Sequence, residues 1–165
     1  INDIQDMGAV KAKLTDLLPQ ITTFWGSEND WNQYMAAGDF AVATYWSGSA
    51  SRSLSKGLPI TFVVADEGAI GWLDGLSVPS SSTHKEAAHA FIDWMVDPEF
   101  YVKWDAEGAP ATANAKAAAS LPDTSFNRRV LGDPATVAKV QFMRPVSEEN
   151  RETYLKLWQE LKAKQ

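Results

Sequence analysis

The segment Glu67–Pro79, EGAIGWLDGLSVP, sets an indole (Trp72) and a carboxylate (Asp74) two residues apart among glycines. On an extended strand, residues i and i+2 share a face, which would turn both side chains toward one ligand. An indole face attracts an ammonium group, and a carboxylate accepts its N–H donors. The pair therefore suits a small organic cation. A plainer expectation competes with it: a strand Trp usually fills the core, and an Asp beside glycines usually caps or turns.

Little else in the chain could do chemistry. There are no cysteines among the 165 residues, which excludes a disulfide scaffold, thiolate zinc and a Cys nucleophile. His84 and His89 are five apart, about 140° around a helix, and cannot clamp one metal. Trp46-Ser47-Gly48-Ser49-Ala50-Ser51 lacks the glycine spacing of a nucleophile elbow, and Glu67-Gly68-Ala69-Ile70-Gly71 fits neither a phosphate loop nor a dinucleotide fingerprint. The chain is therefore not expected to be an enzyme, and no cofactor or metal is expected. A net charge of −6 argues against nucleic acid, whose phosphates need a basic footprint, and mildly favours cationic ligands. No stretch approaches the ~20 apolar residues of a membrane span, and no charged-then-apolar leader precedes Ile1, so the chain is expected to begin after any signal peptide.

The elements that must position these residues alternate in type. Helices are predicted over Asp6–Leu18, Ser27–Ala37 (Ser27 capping, Gly38 stopping it), Ala50–Lys56 after a Ser47-Gly48-Ser49 turn, and Thr83–Val96. Further helices are predicted over Glu99–Glu107 (opened by Pro98, halted at Gly108), around Pro134–Val140, and over Ser147–Lys162. In the last, Ser147 begins a capping box, and Tyr154, Leu157, Trp158 and Leu161 form the apolar stripe. Strands are predicted at Ile21–Trp25, Phe40–Trp46, Pro59–Val64 and Leu76–Pro79, the second and third covered on both faces. Gly108–Asn114 reads as an extended crossing segment. Helices interleaved with short buried strands define an α/β class.

Three pieces now fall in order: Tyr45-Trp46-Ser47-Gly48-Ser49-Ala50, then Glu67–Pro79, then Gly108-Ala109-Pro110-Ala111-Thr112-Ala113-Asn114. Together with Lys85-Glu86-Ala87-Ala88, Phe91-Ile92 and Pro98-Glu99 between the last two, the series resembles the second half of the spermidine/putrescine-type periplasmic solute-binding proteins of ABC transporters. The likeness runs from about Val10 to Leu161, and the middle motif is its most specific part. The resemblance implies a periplasmic-binding-protein-like (type II) two-lobed clamp, of which this partial chain is about half. It implies that residues 1–73 belong to the second lobe, 74–117 to the first, and 118–165 to the second again. It also implies that Trp46, Trp72 and Asp74 contact an amine, that the partner is an ABC permease in the inner membrane, and that the protein is periplasmic.

Two departures stand out. Arg144 occupies a place where a polyamine binder of this family carries a neutral amide. A guanidinium there repels a second ammonium but grips a carboxylate bidentately. Arg52, just after Trp46, offers the same chemistry, although a surface ion pair is the plainer role for it. If Arg144 faces the cleft, the ligand is an ω-amino acid such as γ-aminobutyrate rather than a diamine. The second departure is length: the missing N-terminal half, or a second chain, would have to complete the clamp and cover apolar surface. Other readings remain open, namely a binding protein for another small solute or the ligand-sensing module of a signalling receptor.

Overall fold

The computed structural model describes residues 4 and 6–164. Its helices are α1 (Met7–Leu17), α2 (Glu28–Ala37), α3 (Ser47–Ser55), α4 (Lys85–Met95), α5 (Pro98–Ala106), α6 (Ala115–Ser120), α7 (Phe126–Leu131), α8 (Pro134–Val137) and α9 (Glu148–Lys162). The strands among the described residues are β1 (Ala69–Gly71) and β2 (Val140–Phe142). They pair in parallel with Ala69 opposite Val140 and Gly71 opposite Phe142. The described residues fall into two compact units, one from Ile1–Ala43 with Met143–Gln165, the other Thr44–Phe142.

In the first unit, local sequence sets the helix ends. The Asp6 carboxylate accepts the Ala9 N–H at 2.9 Å, Ser27 Oγ accepts that of Asp30 at 3.1 Å, and Ser147 Oγ accepts that of Asn150 at 3.3 Å. Each satisfies an N-terminal donor that the helix leaves open. Gly38 ends α2 in the left-handed region (φ 76°), as its sequence position predicts. Helix α9 buries Leu161 and sets Trp158 edge-on to Phe24, centroids 4.7 Å apart. Across the same contact, Lys11 Nζ meets Glu160 Oε2 at 2.6 Å. Trp31 is buried against Phe40, with centroids 5.2 Å apart.

The second unit centres on Tyr101, Ala109, Ala117 and Leu121, flanked by Val102 and Trp104. Asp97 caps α5 beside Pro98, whose fixed φ and missing N–H cost nothing in a first turn. Arg128 closes the connection from α6 to α7: its Nη1 donates to the carbonyls of Ala119 and Leu121, and its Nε meets Asp123 at 2.9 Å. Helix α3 buries Ser49, Ala50, Ser51 and Ser53, a face of small residues that lets a neighbouring backbone approach closely.

All four strand predictions fail. Ile21–Trp25, Phe40–Trp46, Pro59–Val64 and Leu76–Pro79 are irregular. Val42 is 90% and Val63 72% exposed, so these segments are not covered on both faces. A continuous apolar run records a preference for burial, whereas a strand also needs a neighbour to take its backbone hydrogen bonds. None of the four segments belongs to the β1–β2 sheet; Ile60, for example, donates to the Leu58 carbonyl at 2.9 Å.

Some helix boundaries also move. Ser47-Gly48-Ser49 is the first turn of α3 rather than a separate turn. Helix α4 starts at Lys85 with His84 in the cap position, and Thr83 makes no cap. Helix α8 stops at Val137, which leaves Val140 to begin β2. Helices α6 and α7 were not anticipated, although Asn114 and Ser125 cap them with side-chain oxygens.

The turn leading into β1 is tied to the one leading into β2. Lys139 Nζ reaches Asp66 Oδ1 at 2.6 Å, and the Ala69 N–H donates to the Lys139 carbonyl at 3.2 Å. Hydrogen bonding to Lys139 and its positive charge hold the Asp66 carboxyl below the ordinary 3.8. A depressed carboxyl contributes stability above its unfolded pKa and loses it as pH falls through the folded one. A small stability deficit of Lys139→Ala is therefore expected at neutral pH, disappearing as pH drops below 3.8. Thermal melts of both proteins across that range check it; a deficit that persists in acid contradicts it. Because the pair is exposed, the effect is modest.

Candidate ligand-binding site

Four of the five predicted site residues lie in the unit Thr44–Phe142; the fifth, Arg144, is exposed on the other unit. Trp46 holds the N-cap position of α3 in extended conformation (φ −76°, ψ 139°), and its carbonyl accepts the Ala50 N–H at 2.9 Å. The indole is therefore carried on the entry to a helix whose next residues are buried. Trp72 follows β1 directly, and Asp74 lies two residues further on.

Because β1 ends at Gly71, neither Trp72 nor Asp74 sits on a strand, and the i, i+2 argument for a common face does not apply to them. Both indoles are nonetheless accessible, Trp46 at 43% and Trp72 at 46%, and Asp74 is exposed. These rings are not sealed into a hydrophobic interior. What β1 supplies is an anchored starting point. Gly71 packs so closely on β2 that an added Cβ would stand 2.5 Å from Val140 Cγ1, and Gly68, at φ 112°, abuts the Lys139 carbonyl.

Arg52 is half-buried on α3, its Nη2 donating to Ser49 Oγ at 2.9 Å. Its own backbone is in tight contact with Gly108 (φ 86°), where an added Cβ would come 2.6 Å from Arg52 Cα. One turn earlier on the same helix, Gly48 faces Pro110. The segment is fixed from behind by a polar cluster that sequence reasoning missed. Asn127, 3% exposed, donates its two Nδ2 hydrogens to the Ala109 carbonyl at 2.9 Å and to Asp105 Oδ1 at 2.8 Å, with the Tyr101 hydroxyl oxygen 3.3 Å from the same nitrogen. That hydroxyl in turn donates to the Pro110 carbonyl at 2.8 Å.

Burial first, then the neighbouring Asp105 charge, pushes the Tyr101 phenol up to about 12, so it remains a donor at neutral pH. Asn127 Oδ1 is buried with no partner among the described residues, a cost on the order of 1–3 kcal/mol. The Ser49–Arg52 contact was legible in principle, since residues three apart on a helix are neighbours. Nothing in the sequence singles out Asn127. Among the described residues, no cluster of His, Asp or Glu could hold a metal ion, and no helix is long and apolar enough to cross a membrane.

Accessible aromatic rings and an exposed carboxylate on irregular, anchored backbone are the furniture of a binding protein. The chain belongs to the family described as bacterial extracellular solute-binding protein, which matches residues 2–127. It is 29% identical over 163 residues to the spermidine/putrescine-binding periplasmic proteins of Salmonella typhimurium and of Escherichia coli, covering 98% of this chain and 46% of each relative. A putrescine-binding periplasmic protein of Escherichia coli is 29% identical over 97 residues, covering 52% of this chain and 25% of that protein. The chain thus spans about half the length of these relatives and corresponds to their C-terminal half. No solved structure is significantly similar.

Proposed function

We propose that this chain is part of an extracytoplasmic receptor of an ABC importer that captures a small amine between two lobes. The observation that carries the reading is the likeness to spermidine/putrescine-binding periplasmic proteins along nearly the whole chain, together with accessible Trp46, Trp72 and Asp74. In this reading the indoles stack on the ligand's methylenes and ammonium, and Asp74 accepts its N–H donors. The lobes comprise residues 1–73 with 118–165, and residues 74–117 with the remainder of the complete protein. Closure draws on the ligand's better contacts in the closed state. The protein works in the periplasm and presents its ligand to a permease in the inner membrane.

The remaining part of the clamp comes from the N-terminal half that the relatives possess, or from a second chain. In this reading that part covers exposed apolar residues of the unit Thr44–Phe142, such as Val63, Leu73 and Phe142.

Arginine chemistry supports an ω-amino acid such as γ-aminobutyrate as the particular ligand. Arg144 is exposed, and Arg52 already donates to a neutral hydroxyl in the turn after Trp46; each can grip a carboxylate that putrescine lacks. Isothermal titration of the complete protein with putrescine, spermidine and γ-aminobutyrate tests both levels. Binding of any of them supports the receptor, and binding of none sinks it. Putrescine preferred over γ-aminobutyrate, with affinity unchanged in Arg144→Ala, removes the ω-amino acid.

A further inference from the structure

The cluster behind the crossing segment is linked to the proposed site through residues 108–110 and α3. Tyr101 and Asn127 grip the carbonyls of Pro110 and Ala109 from the side of α5 and α7. The opposite side of the same segment meets α3 closely, at two glycines that leave no room for a side chain of their own. A Cβ on Gly48 would lie 3.1 Å from Pro110 Cβ and 3.3 Å from its Cα, and one on Gly108 would lie 2.6 Å from Arg52 Cα. The first two turns of α3 are therefore seated on residues 108–110. Trp46 enters that helix and gives it its first hydrogen bond, through its carbonyl to Ala50 N–H, so the indole's Cα goes where α3 goes. Close-packed interiors transmit such displacements rather than absorb them.

We infer that Tyr101 and Asn127 are positioning residues for the Trp46 indole, acting through Pro110 and Gly48. This rests on the reading of Trp46 as a ligand contact, and it assigns a role to a buried amide that leaves its own Oδ1 unpartnered among the described residues. A pair that only held the core together would set the melting temperature and leave the indole's surroundings alone.

The complete protein is labelled with 5-fluorotryptophan, and the Trp46 and Trp72 resonances are assigned with Trp46→Phe and Trp72→Phe. Tyr101→Phe removes the hydroxyl that holds Pro110 while keeping the ring. Gly48→Ala adds a methyl at the contact itself, where helix propensity alone would favour Ala. Asn127→Asp keeps the shape and removes the donors. Each variant is expected to move the Trp46 fluorine resonance while that of Trp72 stays. Affinity for the tighter-binding of γ-aminobutyrate and putrescine is expected to fall roughly tenfold, or 1.4 kcal/mol, in Gly48→Ala as well as in the other two.

An unmoved Trp46 resonance in Tyr101→Phe overturns the inference, even if Asn127→Asp fails to fold; Gly48→Ala, two residues from Trp46, serves as the positive control for a shift at the contact. The two readings fail separately. If the unsubstituted protein binds no amine, the receptor assignment falls, while the fluorine shifts still report the coupling.

Discussion

Asp74→Asn is expected to weaken binding of γ-aminobutyrate, or of putrescine if that is the tighter ligand, by about 10- to 100-fold, the equivalent of the ~1.5–3 kcal/mol that a hydrogen bond to a charged partner contributes. The substitution keeps the size and one acceptor but deletes the negative charge, leaving the ammonium to the indole faces. An ammonium over a desolvated indole gains up to ~2 kcal/mol, so residual binding persists. Asp74 is exposed, and surface substitutions of this kind shift stability by no more than about 0.5 kcal/mol; a loss of affinity is therefore not a loss of fold. Titration calorimetry with circular dichroism on the same samples separates the two. Unchanged affinity would mean that the carboxylate does not touch the amine.

The largest effect on stability is expected at Gly108. Alanine there must adopt φ 86°, and its methyl would sit 2.6 Å from Arg52 Cα and 2.8 Å from Arg52 N. Those atoms are backbone, so no side chain can swing aside. Left-handed strain and overpacking each cost on the order of 1–3 kcal/mol, which together predicts a loss of about 3–5 kcal/mol and a melting temperature lower by ~10 °C. Gly57→Ala is the matched comparison: its φ is 77°, but nothing lies within 4 Å of the added methyl, so it bears the strain alone. Melting within a degree or two of each other would show that α3 and the crossing segment can part without penalty.

The helices were readable because their signals are local. Ser27, Ser147 and Pro98 sit at the starts of the helices they predict, and Gly38 at the end. Strands were misread for the opposite reason. Phe40–Trp46 is apolar enough to be central in a sheet, yet pairing depends on distant backbone that no window of sequence contains. The pairing that does form, Ala69 with Val140, joins residues about 70 positions apart.

At the candidate site, residue types were legible and their support was not. Trp46, Trp72 and Asp74 announce themselves by chemistry, whereas the glycines that seat α3 do so only once Arg52 and Pro110 are brought beside them. Asn127 reads as an ordinary polar residue until its burial is known.

The parallel pairing also dictates an order of events during synthesis. Residues 69–71 leave the ribosome long before residues 140–142 exist, and closing so long a loop is entropically costly and slow. Until then the backbone that leads to Trp72 and Asp74 lacks the β2 ladder that fixes its start. A chain cut short before Val140 would possess every proposed ligand contact of this unit and lack the register that anchors two of them.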